Sequence, residues 1–186
     1  MMARSALLAL LLAVPACADP VIDAQIAALP GEVPGIRTGP NHRGGQPCGL
    51  CHSAAGGRHP TFTVAGTVYQ KPTNNVPVEG ALVHITDATG ATYDLTSNCA
   101  GNFYVADTQW QPTFPLYVDL SDAAAGITTK MKTKIGRDNS CAQCHADPAG
   151  TDSAGHVYLT NDPTVPDMAP PSLSCGGGGR TGGGGG

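Results

Sequence analysis

Two short stretches of the chain combine cysteine and histidine at a spacing suited to cofactor chemistry. They are Cys48-Gly-Leu-Cys51-His52 and Cys141-Ala-Gln-Cys144-His145, two complete C-x-x-C-H motifs. In such a motif the two thiols form thioethers with the vinyl groups of one haem, and the histidine ligates its iron. The predicted attachment residues are Cys48, Cys51, Cys141 and Cys144, and the predicted iron ligands are His52 and His145. The sequence thus predicts two covalently bound c-type haems.

Three other interpretations of the motifs are weaker. Structural zinc modules keep their cysteine pairs close, whereas 89 residues separate Cys51 from Cys141. A dithiol redox site would be expected at a helix start within a βαβ unit, and neither motif follows such a pattern. Two local disulfides would leave both adjacent histidines unexplained.

Each iron has a second axial position, for which the chain offers several side chains. His42 lies ten residues before His52, and the intervening glycines allow the chain to fold over the opposite haem face. His59 is equally near but is followed by the stiffening Pro60. For the second haem, Met131 is favoured by a small margin over His156. The remaining histidine, His84, alternates with core residues and is expected to be exposed.

Met131 lies in Lys130-Met131-Lys132-Thr-Lys134-Ile135, where strand alternation puts the three lysines on one face and Met131 with Ile135 on the other. The lysine face could pair with haem propionates or dock an acidic partner. It could equally be an edge strand protected against aggregation.

The beginning of the chain predicts export. Arg4 precedes nine apolar residues, Ala6 to Val14, which are too few to span a bilayer and are typical of a signal peptide. Cleavage after Ala18 would release Asp19, while Val14-Pro15-Ala16-Cys17 resembles a lipobox with a lipid-modified Cys17. The protein is therefore expected in the periplasm or at the outer-membrane surface, where any membrane contact is through that lipid.

Composition limits the class of protein. The 186 residues are 13% charged, and 14 acidic residues face 10 basic ones. A large multi-domain enzyme is excluded by length. A nucleic-acid binder is disfavoured by the acidic balance, because binding to phosphates requires a basic surface.

Short runs rich in Val, Thr, Tyr and Ile lie between the motifs and predict six antiparallel strands. They are Thr61 to Gln70, Ala81 to Asp87, Thr92 to Thr96, Asn102 to Ala106, Leu116 to Leu120 and Ile127 to Ile135. Their length, alternation and regular turns favour a small antiparallel β-sandwich, mainly β in class, flanked by two irregular haem-binding segments. Val21 to Leu29 could form two helical turns at most.

These runs and the turns between them resemble a known β-sandwich repeat. Val64-Ala-Gly66-Thr-Val68-Tyr, Pro77-Val-Glu-Gly80-Ala81-Leu-Val83, Asp87-Ala-Thr-Gly90 and Gly101-Asn-Phe103 resemble the carboxypeptidase-regulatory or transthyretin-like β-sandwich repeat. With the two motifs, the region from Asn41 to Leu159 is similar to small exported bacterial cytochromes in which such a sandwich separates two C-x-x-C-H sites. The resemblance also implies a ligand role for a histidine upstream of the first motif, here His42. Cys99 departs from the repeat, which usually has Asp or Thr there.

The expected organisation has five parts. They are a leader over 1–18, a first haem segment over 19–60, the β-sandwich over 61–135, a second haem segment over 136–168 and a disordered tail over 169–186. Cys99 and Cys175 could form a disulfide or remain single.

The expected function is electron transfer with redox partner proteins, which are expected to be other cytochromes, and no enzymatic activity is expected. A peroxidase-like haem enzyme or sensor would need an open iron position with catalytic side chains around it. An adhesion or assembly module would use the haems structurally. Six strands would return the chain to its starting end, so both haem sites are expected at one end of the sandwich.

Overall fold

Seven strands and three short helical segments make up the described part of the protein. The computed structural model describes residues 19–32, 36, 38–169 and 175. The helical segments are α1 (Pro20–Ala28), α2 (Cys48–Cys51) and a 3₁₀ turn (Cys141–Gln143). The strands are β1 (Phe62–Tyr69), β2 (Leu82–Thr86), β3 (Thr92–Thr96), β4 (Asn102–Ala106), β5 (Tyr117–Asp122), β6 (Ile127–Lys130) and β7 (Val157–Tyr158).

The strands form two sheets, with orders β4-β1-β7 and β3-β2-β5-β6. All pairs are antiparallel except β1 with β7, which run parallel over Val68–Val157 and Tyr69–Tyr158. The protein is therefore mainly β and has the predicted sandwich architecture.

Alternating side chains from both sheets build the core. Val64 and Val68 of β1, Val83 and Ile85 of β2, and Leu116 before β5 are fully buried. Burying one such side chain contributes about 1.5–3 kcal/mol, so this layer supplies the main force that holds the sheets together.

The six predicted runs correspond to β1 through β6, with two differences. Strand β6 ends at Lys130 rather than at Ile135, although Ile135 still forms an isolated bridge with Leu116. Strand β7 was not predicted, because two residues paired in parallel with a strand almost ninety positions earlier carry no local pattern.

The segment after β7 is fixed to the end of β1. The buried Gln70 side chain donates to the Pro166 carbonyl and accepts from the Met168 amide. Lys71 forms a salt bridge of 2.8 Å with Asp167 and donates to the Val165 carbonyl. The proline-rich stretch that begins at Pro163 is thus held against the sandwich as far as Met168.

The structure joins Cys99 and Cys175 in a disulfide, with a Cα–Cα distance of 5.6 Å. The predicted leader with Cys17, and the predicted tail apart from residues 169 and 175, lie outside the described residues. No helix within residues 19–32 or 38–169 is long and apolar enough to cross a membrane.

Candidate functional site

The first motif forms a single helical turn held against β1. The helix α2 spans Cys48–Cys51, begins after Pro47, and ends where the His52 amide donates to the Cys48 carbonyl. The His52 carbonyl in turn accepts from the Phe62 amide, at the first residue of β1. The motif is therefore positioned by the strand that follows it.

A hydrogen bond at one ring nitrogen of His52 fixes the ring and leaves the other nitrogen without a partner in the described chain. Its Nδ1 lies 2.8 Å from the carbonyl oxygen of Pro60. A carbonyl only accepts, so Nδ1 carries the proton, and a neutral ring then has its lone pair on Nε2. This nitrogen has no hydrogen-bond partner among the described residues. Fixing Nδ1–H on a carbonyl is the usual way in which proteins orient a metal-binding histidine.

A cavity of about 710 Å³ lies beside this motif. It is lined by Cys48, Cys51 and His52, together with His42, His59 and residues of α1 and β4. The ring centroids of His42 and His52 are 5.8 Å apart. Their ring planes are tilted by 55°, and both rings line this cavity. The Nδ1 of His42 also bonds a backbone carbonyl, that of Gly39.

The second motif repeats this arrangement with a different loop. After the 3₁₀ turn, the His145 amide donates to the Cys141 carbonyl. In the loop that follows, the Ser153 hydroxyl donates to the Ala146 carbonyl. This hydrogen bond turns the chain back, so that Gly155 lies next to His145. The Nδ1 of His145 lies 3.0 Å from the Gly155 carbonyl, so Nε2 is again the free nitrogen within the described residues.

A second cavity, of about 530 Å³, opens between the two sheets beside this motif. Cys141, Cys144 and His145 line it, and so do both predicted candidates for the other axial position, Met131 and His156. His156 stacks on Tyr69 at 4.4 Å, and its buried Nδ1 has no hydrogen-bond partner in the described chain. Both cavities fall within the range of about 300–1,000 Å³ typical of cofactor sites.

The last candidate, His84, lies away from both cavities. It is on β2 and bonds Asp94 across the strand pair. It lines neither cavity, and its side chain is 39% exposed.

The structure brings the first motif into direct contact with the segment that carries the second. A Cβ atom on Gly49 would lie 1.8 Å from the side-chain oxygen of Asn139, two residues before the second motif. The Asn139 carbonyl accepts from the Ala65 amide, and Phe103 lines both cavities. The first motif is thus held at the start of β1, and the segment before the second motif is held at Ala65, three residues further along the same strand.

Burial keeps one thiol of each motif protonated. Desolvation raises the pKa of Cys48 to about 11 and that of Cys141 to about 12. Reactive dithiols and thiolate metal ligands need a lowered pKa, so these environments do not suit disulfide exchange. Among the described residues, no group of three or more Cys, His, Asp or Glu side chains is arranged to bind a metal ion.

Several residues that shape the sites escaped the sequence analysis. Gly49, Gly66, Phe103 and Asn139 supply the close approach between motifs and sheet. Glycine within a predicted strand suggests close packing, so Gly66 was the one detectable signal. Pro60 and Gly155 act through backbone carbonyls, which no side-chain pattern reveals.

These sites define a β-sandwich with two motif-lined cavities. Comparison of the chain with protein-family models, with curated proteins and with solved structures gives no significant match.

Proposed function

We propose that the protein is an exported dihaem c-type cytochrome that transfers electrons between redox partner proteins. The observation that carries this proposal is that His52 and His145 have the same hydrogen-bonding arrangement. Each has Nδ1 fixed on a backbone carbonyl, Nε2 without a partner in the described chain, and a cavity lined by its own two cysteines. Two motifs that fold differently and still reach this state favour a common iron-binding role.

The donor set fits haem better than a protein-only metal site. A c-type haem needs two thioether bonds and one or two axial side chains, and each cavity offers these. When bound, the haem supplies one-electron redox chemistry. The chain's own residues orient the ring of each histidine and place the two thiols of each motif in the cavity wall.

Contact between the motifs supports a relay within one molecule. Gly49 packs on Asn139, and Phe103 forms part of both cavity walls. Two redox centres held this way would share one rigid support, the strand β1. The sandwich then acts as the holder that fixes their separation.

Covalent attachment is tested on protein exported by a host that matures c-type cytochromes. On a denaturing gel with haem staining, colour should stay on the chain, and intact mass should give two haems. Cys141→Ala with Cys144→Ala should halve both values. The matched control is Cys99→Ala with Cys175→Ala, which removes the two cysteines of the disulfide and should retain both haems. Complete loss of colour on denaturation would refute the proposal.

Axial ligation is tested by visible and near-infrared spectra of the oxidised protein. His42→Ala should convert one haem to a high-spin or water-ligated form, and Met131→Ala should remove a thioether-to-iron charge-transfer band. His84→Ala is the control, since that side chain lines neither cavity. If neither variant changes the spectrum, His59 and His156 replace His42 and Met131 as the axial candidates. Strong carbon monoxide binding by the reduced wild-type protein would instead indicate an open iron site, as in an enzyme or a sensor.

A further inference from the structure

Positive charge is concentrated beside the second cavity. Residues 130–138 contain four basic residues and one acidic residue, in a chain whose formal net charge is −4. Lys130 is partly neutralised by Asp119, whose carboxylate lies 3.2 Å from the ammonium group. Lys132, Lys134 and Arg137 are exposed and form no salt bridge among the described residues. We call these three residues the basic rim.

The backbone of the basic rim is fixed by the neighbouring strand. The Met131 amide donates to the Val118 carbonyl, and Ile135 exchanges two backbone hydrogen bonds with Leu116. Lys132 and Lys134 lie between these anchors and line the second cavity, as does Asp138. Arg137 follows three positions after Lys134 and lies outside the lining. The charges are thus presented at the cavity entrance from an edge of the sheet rather than on a free loop.

The first cavity has a different charge pattern. Its Arg43 forms a salt bridge of 3.1 Å with Glu32, and the same guanidinium donates to the Pro30 carbonyl. Arg58 is the other cation in its lining. Two lysines of its lining, Lys132 and Lys134, form no salt bridge among the described residues, and Arg137 lies close by in the chain. This concentration of positive charge distinguishes the second cavity, and it raises the local concentration of anionic partners.

We propose that the basic rim is a docking surface for the carboxylate-rich face of a partner protein, which binds at the mouth of the second cavity. That this partner is an electron-transfer protein rests on the proposed function, whereas binding of an acidic polypeptide does not. Charge complementarity selects the occupant: the rim is basic, held on a rigid edge and set in an otherwise acidic molecule. Edge-strand lysines that serve only to prevent aggregation would show no preference for an acidic polypeptide beyond that of any other surface cation.

The test measures binding of fluorescently labelled poly-L-glutamate to the exported holoprotein by anisotropy. Ionic strengths of 10 and 150 mM are compared, because screening shortens electrostatic reach from about 30 Å to about 8 Å. Lys132→Glu is matched by Arg58→Glu, which changes the net charge equally but lies at the first cavity. We expect tight binding only at low salt. Lys132→Glu should weaken binding at low salt about tenfold, and adding Lys134→Glu should weaken it further. Arg58→Glu should weaken binding less than about threefold.

Several results would overturn the docking surface. One is equal weakening by Lys132→Glu and Arg58→Glu, which would show that only net charge matters. Another is unchanged binding with an altered haem spectrum, which would assign the lysines to haem propionates. Loss of a self-associated form in sedimentation, without loss of polyglutamate binding, would make a second copy the occupant. The haem count, measured first, separates the two proposals: colourless protein that still binds through the rim contradicts only the cytochrome assignment.

Discussion

Gly66 on β1 is the position where a single methyl group should disturb the second site. A Cβ atom there would lie 2.7 Å from the Sγ of Cys141 and 2.8 Å from the ring of Phe103. Both contacts are shorter than carbon normally tolerates, and both partners pack against the core. Gly66→Ala must therefore displace Cys141, the ring of Phe103, or both.

The expected loss of stability follows from two opposing effects. Overpacking a filled core costs about 1–3 kcal/mol. Replacing glycine by alanine restricts the unfolded chain and returns about 0.4–1 kcal/mol. The net destabilisation is about 1–2 kcal/mol, which for a chain of this length lowers Tm by roughly 2–8 °C.

Thermal unfolding followed by circular dichroism measures this change, with Gly150→Ala as the control. Gly150 has open space where its Cβ would be and should leave Tm nearly unchanged. Adding Phe103→Leu removes the ring atoms that meet the new methyl group. The double variant should therefore lose less stability than the sum of the single variants. A Gly66→Ala protein that melts at or above the wild-type temperature, or a cycle with no coupling, would refute the steric argument.

Three further predictions concern pH, the disulfide and the relay. Hydrogen bonds from the Thr89 hydroxyl and the Thr113 amide, with others, lower the pKa of Asp87 from 3.8 to about 2. The stabilising effect of the Asp87 carboxylate is therefore complete above pH 3.8 and is lost as the pH falls towards 2. The difference in urea midpoint between wild type and Asp87→Asn should shrink over that interval, and a constant difference would contradict this prediction. Cys99 and Cys175 close a loop with a sequence separation of 76. Replacing both by serine should lower the free energy of unfolding by about 4 kcal/mol, measured by urea titration. A loss below about 1 kcal/mol would argue against the disulfide. Electron paramagnetic resonance of the oxidised holoprotein should show magnetic coupling between two ferric centres, and two uncoupled signals would argue against the relay.

The sequence predicted the sandwich because its strands carry local information. In β2 and β5, buried and less buried residues alternate as the pattern required, with Val83 and Ile85 fully buried. Turn glycines punctuate these runs, so each strand is specified by a few adjacent residues. Strand β7 has no such pattern, since its pairing depends on β1 and on the loop that follows the second motif.

The sequence names the residues of the candidate site but not the contacts that hold them in place. The motif spacing alone names the cysteines and the two histidines. The partners that orient those histidines are the carbonyls of Pro60 and Gly155, which lie eight and ten positions away and are present in every residue type. Only a folded loop determines which carbonyl meets which ring, and no side-chain pattern records that choice.

Contact between the two motifs depends on one strand that is covered on both of its faces. Residues Val64 to Val68 of β1 are all buried, so their side chains alternate between the inter-sheet core and the outer layer that holds the first motif. On the outer side, Gly45 donates its amide to the Thr67 hydroxyl. At Gly66 the missing side chain leaves room for Cys141 of the second motif. A strand that needed only to close the sandwich could expose one face to water; β1 instead anchors both motifs, and its small residues set how closely they approach.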